Sequence, residues 1–155
     1  MKQFSTGSVI AMLLTASALS DILYAAPVID DERLVHAATD PSNWLTFGQN
    51  YTNQRYSALE QITSTNVTDL VPRWTFHSGA KGPFQAQPLV ADGVMYVTLP
   101  GNDVVALDAA TGAKQWRYKH HKRFDRTQGS SANRGAALAY GKVFEATNDG
   151  RLVAL

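Results

Sequence analysis

The chain has 155 residues, about the size of one domain, and contains no cysteine, so the given residues form no disulfide. Hydrophobic residues make up 45% and charged residues 17%, a composition that excludes an intrinsically disordered chain. A formal net charge of +1 argues against a nucleic-acid-binding protein, which needs a clustered basic surface.

Residues 1–25 have the features of a secretory signal peptide. Lys2 gives a positive start, a mostly apolar run follows, and Ala25 offers a small residue for cleavage. A membrane anchor is the weaker alternative, because Asp21 lies inside the roughly 20 residues that a spanning helix needs. We therefore expect this segment to be removed on export.

Residues 26–43 form an N-terminal segment without a clear strand pattern. A short helix is predicted to begin at Asp30 and to end before Pro41. Further on, Asn66 is predicted to cap a single helical turn. Residues 73–77 alternate apolar and polar side chains, which predicts a strand.

From residue 87 onward the sequence alternates between strand and turn patterns. The turn residues Asp92-Gly93 and those of the 100–103 segment tolerate positive φ, as hairpin loops require. The predicted strands are Pro88–Val90, Val94–Thr98, Val104–Leu107 and Lys114–Tyr118.

The run from Ala106 to Trp116 reads Ala-x-Asp-x-x-Thr-Gly-x-x-x-Trp, and the same pattern begins again near the C-terminus. Matched positions lie 48 residues apart: Gly93 and Gly141, Tyr96 and Phe144, Val105 and Val153, Leu107 and Leu155. Four-stranded units with a period of about 40–50 residues are typical of β-propeller blades. A β-sandwich with coincidental hairpins is the alternative. We expect an all-β fragment, the first blades of a propeller, that stops within its second visible repeat.

Two tryptophans are candidates for packing between blades. Trp116 follows the Thr111-Gly112 turn, and its indole is expected to lie between adjacent sheets, where an aromatic side chain buries about 150–250 Å². Trp74 is a weaker candidate for the same position in the preceding blade, since no Thr-Gly turn precedes it.

The repeat and three further blocks resemble the quinoprotein alcohol dehydrogenases, the methanol and ethanol dehydrogenases that use pyrroloquinoline quinone (PQQ). The resemblance covers residues 44–155. Its blocks are Trp44-Leu45-Thr46-Phe47-Gly48 with Gln54-Arg55-Tyr56-Ser57-Ala58-Leu59 and the Ile62–Trp74 pattern, then Phe84–Tyr96, then Asn133-Arg134-Gly135.

The resemblance implies an eight-bladed propeller that holds PQQ and Ca²⁺ near its axis. In that family the Arg of Asn-Arg-Gly contacts the cofactor, which assigns this role to Arg134. A guanidinium suits the three carboxylates of PQQ, because it donates two parallel charge-assisted hydrogen bonds to a carboxylate. A second contact falls on Gln85, which replaces an acidic residue of the family. The alternatives are a structural Arg134 and an exposed strand-edge amide at Gln85.

Two features depart from the family or lie outside its motifs. Many members have adjacent cysteines before Asn-Arg-Gly, and the corresponding positions are Gln128 and Gly129, so no disulfide can form there. Residues 117–126 carry the only charge run, which we interpret as a solvated loop. The alternative is a docking patch for an acidic redox partner or a guide for the anionic cofactor.

No catalytic residue and no metal ligand is predicted in this chain. The resemblance places the catalytic Asp and the calcium ligands beyond Leu155. The five aspartates after residue 90 are predicted in turns or loops, where Asp is expected for backbone reasons: Asp92, Asp103, Asp108, Asp125 and Asp149.

For the complete protein, the resemblance implies a periplasmic enzyme. It would oxidise a small alcohol to an aldehyde and pass electrons to a cytochrome or quinone acceptor, with peripheral membrane association allowed. Haem c is expected only if a C-terminal domain exists. The alternatives are a non-catalytic exported propeller scaffold and a quinoprotein dehydrogenase of sugars or polyols.

Overall fold

The computed structural model describes residues 28–122 and 132–155. The predicted signal peptide and the positions of Gln128, Gly129 and Asp125 lie outside these residues. Within the two described stretches, no helix has the length and apolar character that crossing a membrane requires.

Two antiparallel sheets follow one another along the chain, in agreement with the predicted all-β class. The first contains β1 (Leu89–Ala91), β2 (Val94–Leu99), β3 (Asp103–Asp108) and β4 (Lys114–Tyr118). The second contains β5 (Ala137–Ala139), β6 (Lys142–Ala146) and β7 (Leu152–Ala154). In both sheets the strand order is the sequence order, as in a meander of hairpins.

The 48-residue repeat predicted from sequence is also a repeat of strand register. Leu89 pairs with Tyr96 in the first sheet, and Ala137 pairs with Phe144 in the second. Tyr96 in turn pairs with Ala106, as Phe144 pairs with Ala154. Every one of these positions shifts by 48, so the two sheets are copies of one structural unit.

The turn between the first two strands of each sheet explains why glycine occurs there. Asp92 and Gly93 have φ values of 50° and 80°, and Tyr140 and Gly141 have values of 49° and 71°. Two successive residues with positive φ are what a two-residue turn matched to strand twist requires. Glycine occupies the second position of this turn in both copies, whereas the first position is Asp92 in one and Tyr140 in the other.

Strand β3 is buried on both faces. The exposed fraction of each side chain from Val104 to Leu107 is 2% or less. On one face, Val104 belongs to a core shared with Leu138 and Val143 of the second sheet. On the other, Val105 and Leu107 pack with Trp74 and Phe76. Burial on both sides explains why this strand is a continuous apolar run rather than an alternating one.

The N-terminal segment contains the predicted helix and packs it against both sheets. Helix α1 (Asp31–Val35) begins after Asp30, whose side chain accepts a hydrogen bond from the backbone of Arg33, and a 3-10 turn (Ala37–Thr39) follows. The Arg33 guanidinium donates to Asp92 at 2.8 and 3.0 Å, and the Tyr140 hydroxyl donates to Asp31 at 2.6 Å. The segment therefore contacts the first hairpin of each sheet.

Two local predictions were wrong. Residues 73–77 form no strand, although Trp74 and Phe76 alternate inward as predicted, because no neighbouring strand pairs with their backbone. Asn66 precedes a 3-10 turn (Val67–Asp69) but does not cap it. Its side-chain amide instead accepts from the Thr63 backbone and donates to the Gln61 carbonyl, which closes the preceding loop.

Candidate functional site

Trp74 docks on the Thr-Gly turn of the first sheet. Its indole Nε1 donates to the Ala109 carbonyl at 3.2 Å, and its ring covers Gly112 so closely that a Cβ there would lie 2.5 Å from the ring carbons. The structure thus gives Trp74 the inter-unit packing position that its sequence context suggested only weakly.

Asp108 shapes the turn on which Trp74 docks. Its carboxylate accepts from the Thr111 hydroxyl at 2.7 Å, and from the backbone amides of Thr111 and Ala110 at 2.8 and 3.1 Å. These hydrogen bonds, the Thr111 hydroxyl first, lower the pKa of Asp108. Asp108 therefore has the backbone role expected of it.

Trp116 lines a groove between the two sheets, near the predicted position, but its indole is not buried there as predicted. Its ring contacts Tyr96 with a centroid distance of 6.0 Å, and 36% of the side chain is exposed. The groove has a volume of about 360 Å³ and is also lined by Tyr118, Val143 and Leu155.

The two predicted cofactor residues, Gln85 and Arg134, lie side by side. Arg134 Nε donates to Gln85 Oε1 at 3.4 Å, although the residues are 49 positions apart in sequence. Gln85 is four residues before β1 and Arg134 is three residues before β5, so each belongs to the loop that enters a sheet. The repeat brings the two entry loops together.

The local backbone keeps the two entry loops close. Gly135 has a φ of 126°, and a Cβ at this residue would lie 3.7 Å from the carbonyl oxygen of Gln87. Arg134 is exposed, and within residues 28–122 and 132–155 no carboxylate forms an ion pair with it. The exposed guanidinium of Arg134 therefore lies beside the neutral side-chain amide of Gln85 at the surface.

Asn133 anchors the loop that carries Arg134. Its side-chain oxygen accepts from the Gly135 backbone at 2.9 Å, a bond that spans Arg134. Its amide nitrogen donates to Glu145 Oε1 at 2.8 Å and to Asn102 Oδ1 at 3.1 Å. Asn133 is 4% exposed, so its buried side chain connects the loop to both sheets through these hydrogen bonds.

Glu145 is a fully buried carboxyl on strand β6, on the same face as the apolar Val143. Its second oxygen, Oε2, has no hydrogen-bond partner among the described residues. Burial, and then the charge of Asp103, raise the pKa of Glu145 to about 7. Sequence reasoning missed this residue. The signal was available, because a Glu two positions after an inward Val breaks the alternation of the strand.

The described part of the charge run is the expected solvated loop only in part: Lys119, His121 and Lys122 are exposed, whereas Arg117 and His120 have structural partners. Arg117 forms an ion pair with Asp103 at 2.7 Å, and the His120 side chain is fully buried, with Nε2 3.2 Å from Asp149. Arg151 donates to the carbonyl of His121 at 2.6 Å. These contacts fix the end of β4 to the β6–β7 turn. Residues 123–126 of the run lie outside the described residues.

The described aspartates after residue 90 all have structural partners. Asp92 contacts Arg33, Asp103 contacts Arg117, and Asp149 contacts Arg151. Across residues 28–122 and 132–155, no group of three or more His, Asp or Glu side chains is arranged to hold a metal ion.

The chemistry of the Gln85–Arg134 pair fits a ligand that carries carboxylates. The guanidinium offers charged N–H donors that remain exposed, and the amide of Gln85 adds a donor and an acceptor. Gln85 also orients the guanidinium through Nε, which leaves the two terminal nitrogens for the ligand. PQQ, a tricarboxylate, matches this donor set.

Known proteins that are similar to this chain include quinone-dependent alcohol dehydrogenases. The alcohol dehydrogenase (quinone), dehydrogenase subunit, of Gluconacetobacter polyoxogenes is 36% identical over 99% of this chain and 21% of its own length. The crystal structure of quinohemoprotein alcohol dehydrogenase from Comamonas testosteroni superposes with a TM-score of 0.75 and 37% identity, over 82% of this chain and 19% of that one.

A europium-containing methanol dehydrogenase superposes with a TM-score of 0.73 and 35% identity, over 81% of this chain and 23% of that chain. The chain thus spans about a fifth of the length of the relatives it matches. The family model for the PQQ-dependent glucose/ethanol/alcohol dehydrogenase β-propeller domain matches residues 44–155. This chain therefore belongs to the PQQ-dependent glucose/ethanol/alcohol dehydrogenase family and forms part of its β-propeller domain.

Proposed function

We propose that the complete protein containing this chain is a PQQ-dependent dehydrogenase that oxidises a small alcohol to an aldehyde. The family assignment and the named relatives support this proposal. The observation that carries it is the pairing of Arg134 with Gln85, because this pair builds an exposed site for a carboxylate from two loops that are distant in sequence.

In this proposal, Arg134 binds a carboxylate of PQQ through its terminal nitrogens, and Gln85 holds the guanidinium in place through Nε. PQQ, when bound, supplies the two-electron redox chemistry, and the protein supplies position and electrostatics. Because Gln85 is neutral, the site here is more cationic than one with an acidic residue at this position. We therefore expect this part of the site to favour the fully ionised tricarboxylate.

The remaining parts of the proposal rest on the family alone. They are Ca²⁺ as the metal beside PQQ, a catalytic Asp beyond Leu155, a cytochrome or quinone as electron acceptor, and export to the periplasm after removal of residues 1–25. Haem c remains an expectation tied to a C-terminal domain. One similar structure is a europium-containing methanol dehydrogenase, so the identity of the metal should be tested directly.

Quinone titration of the apo form of the complete protein tests the proposal. Arg134→Ala should weaken PQQ binding by about 10- to 100-fold, since one charge-assisted pair contributes about 1.5–3 kcal/mol. Arg73→Ala removes another exposed arginine of the same charge and should leave the dissociation constant unchanged. No binding by the wild type would support the non-catalytic scaffold instead, and equal binding by both variants would contradict the proposed role of Arg134.

Substrate class is tested on the protein loaded with PQQ and Ca²⁺, with Eu³⁺ loading in parallel. Reduction of an artificial electron acceptor by short primary alcohols supports the proposal. Activity confined to sugars or polyols would instead support the alternative, a quinoprotein dehydrogenase of sugars or polyols.

A further inference from the structure

The buried carboxyl of Glu145 lies two hydrogen bonds away from the backbone next to Arg134. Glu145 accepts from Asn133, and Asn133 accepts from Gly135, so the chain of contacts brackets Arg134 on both sides. On the same face of strand β6 its neighbour is the apolar Val143, so the polar contact of Glu145 is directed to Asn133 rather than along the strand.

Burying a carboxyl costs free energy unless hydrogen bonds compensate, and here only one of its oxygens has a partner in the described residues. A residue that is unfavourable for stability and that touches a binding loop suggests a role in that loop.

We infer that Glu145 is a positioning residue for the anion site: acting through the side chain of Asn133, it fixes the orientation of the loop that presents Arg134 to a carboxylate. Asn102 completes the support from the other sheet, because its side-chain oxygen accepts from Asn133 at 3.1 Å and from the Asn148 backbone at 3.3 Å. This inference rests on the proposed function of Arg134.

The fixed side chain of Asn133 explains how a contact on β6 reaches Arg134. An amide group is planar, so its nitrogen and oxygen cannot be oriented independently. Glu145 and Asn102 hold the nitrogen, and the oxygen is thereby directed at Gly135, the residue with a φ of 126° that turns the chain after Arg134. Without the acceptor on Glu145, the loop that carries Arg134 is less ordered in the free protein. Part of the free energy of ligand binding is then used to order the loop, and the measured affinity falls.

The test is the PQQ dissociation constant of the apo form of the complete protein, at one pH and with calcium chloride constant. Glu145→Leu removes the acceptor and should raise the constant about fivefold or more, as for coupled neighbours. Glu145→Gln retains an acceptor for Asn133 and should stay within about twofold of wild type. Val143→Ala is the matched control on the same face of β6, and it should lower the melting temperature without changing the constant.

A double-mutant cycle separates positioning from general damage. When Arg134→Ala is already present, Glu145→Leu should have no further effect on PQQ binding. Independent, additive losses would overturn the positioning role, and so would a wild-type constant in Glu145→Leu. If Arg134→Ala itself leaves binding unchanged, the proposed function of Arg134 fails instead.

Should Glu145→Leu not fold, Asn102→Gly provides the same test from the other sheet. Asn102 has a φ of 70°, which glycine adopts without strain, so this variant removes the amide and keeps the backbone. It should also weaken PQQ binding and show no additional loss in the Arg134→Ala background. A constant unchanged from wild type would contradict the inference.

Discussion

Trp74 lies flat over Gly112, so that a methyl group on this glycine would overlap the indole at 2.5 Å. The contact joins a segment before the first sheet to the turn between its last two strands, and the Nε1 hydrogen bond to Ala109 fixes its orientation. Glycine at position 112 is therefore favoured for two reasons. The turn needs a positive φ, and the Trp74 ring leaves no room for a side chain.

Gly112→Ala is expected to destabilise the protein by about 2–4 kcal/mol, because a steric conflict with the ring adds to the strain of a positive φ. Gly141→Ala is the matched control. Its φ of 71° nearly equals the 73° of Gly112, but its Cβ would have no neighbour within 4 Å. Urea denaturation should show the larger loss for Gly112→Ala, and equal losses would mean that the indole contact contributes nothing.

Glu145→Gln is expected to raise the free energy of unfolding at pH 8, by about 3 kcal/mol at most, and to have little effect at pH 4. The pKa of Glu145 is raised from 4.5 to about 7 in the folded protein. The folded state therefore binds the proton more tightly, and stability is lost as pH rises from about 4.5 through 7. Glutamine resembles the protonated form and escapes this loss.

Unfolding midpoints measured between pH 4 and pH 8 provide the check. The difference between Glu145→Gln and wild type should increase across this range. Val143→Ala introduces no ionisable group, so its effect should be the same at every pH. A pH-independent gain for Glu145→Gln would contradict the raised pKa.

Asn43→Ala is expected to cost more stability than Arg33→Ala, although both side chains contact Asp92. Asn43 is buried and accepts from the Asp92 backbone at 2.7 Å, and its removal leaves that amide without this acceptor, at about 1–3 kcal/mol. Arg33 binds the carboxylate at the surface, where an ion pair contributes about 0–1 kcal/mol. Thermal unfolding of the two variants is the measurement. A lower melting temperature for Arg33→Ala than for Asn43→Ala would contradict this expectation and would mean that the surface ion pair contributes more.

Residues 26–155 produced alone are expected to be inactive and to lack a cooperative unfolding transition. Large apolar side chains are exposed in this part of the chain, with Val71 at 81% and Leu152 at 72%. Sheet faces and edges of this kind are normally covered by neighbouring units. Near-ultraviolet circular dichroism with PQQ and Ca²⁺ is the measurement. A sharp melt together with alcohol oxidation would disprove the expectation.

Sequence patterns predicted the hairpins of the fold well, because turn residues and the alternation of side chains depend on residues that are close together along the chain. The alternation of residues 94–98 and the glycine at 93 gave the first hairpin, and the 48-residue offset gave the register of the second sheet. The strand predicted at 73–77 failed, since alternation shows which side chains turn inward but not whether a neighbouring strand is present to pair.

The candidate site was predicted in part. The resemblance supplied Gln85 and Arg134, and the structure brought them within 3.4 Å of each other. The contacts behind them were not predicted, because Asn133 enters the resemblance only as part of the Asn-Arg-Gly motif and Glu145 belongs to none of the quoted motifs. Hydrogen-bond partners 12 and 31 residues away from Asn133 leave no periodic signal in a sequence.

The sequence by itself determined the repeating unit, the turn geometry and the family, because each depends on residues that are near one another along the chain. Only the tertiary structure decided which side chains share the Arg134 loop and that a carboxyl is buried beneath it. Those facts depend on distances across two sheets, and long-range packing, rather than any local preference, fixes them.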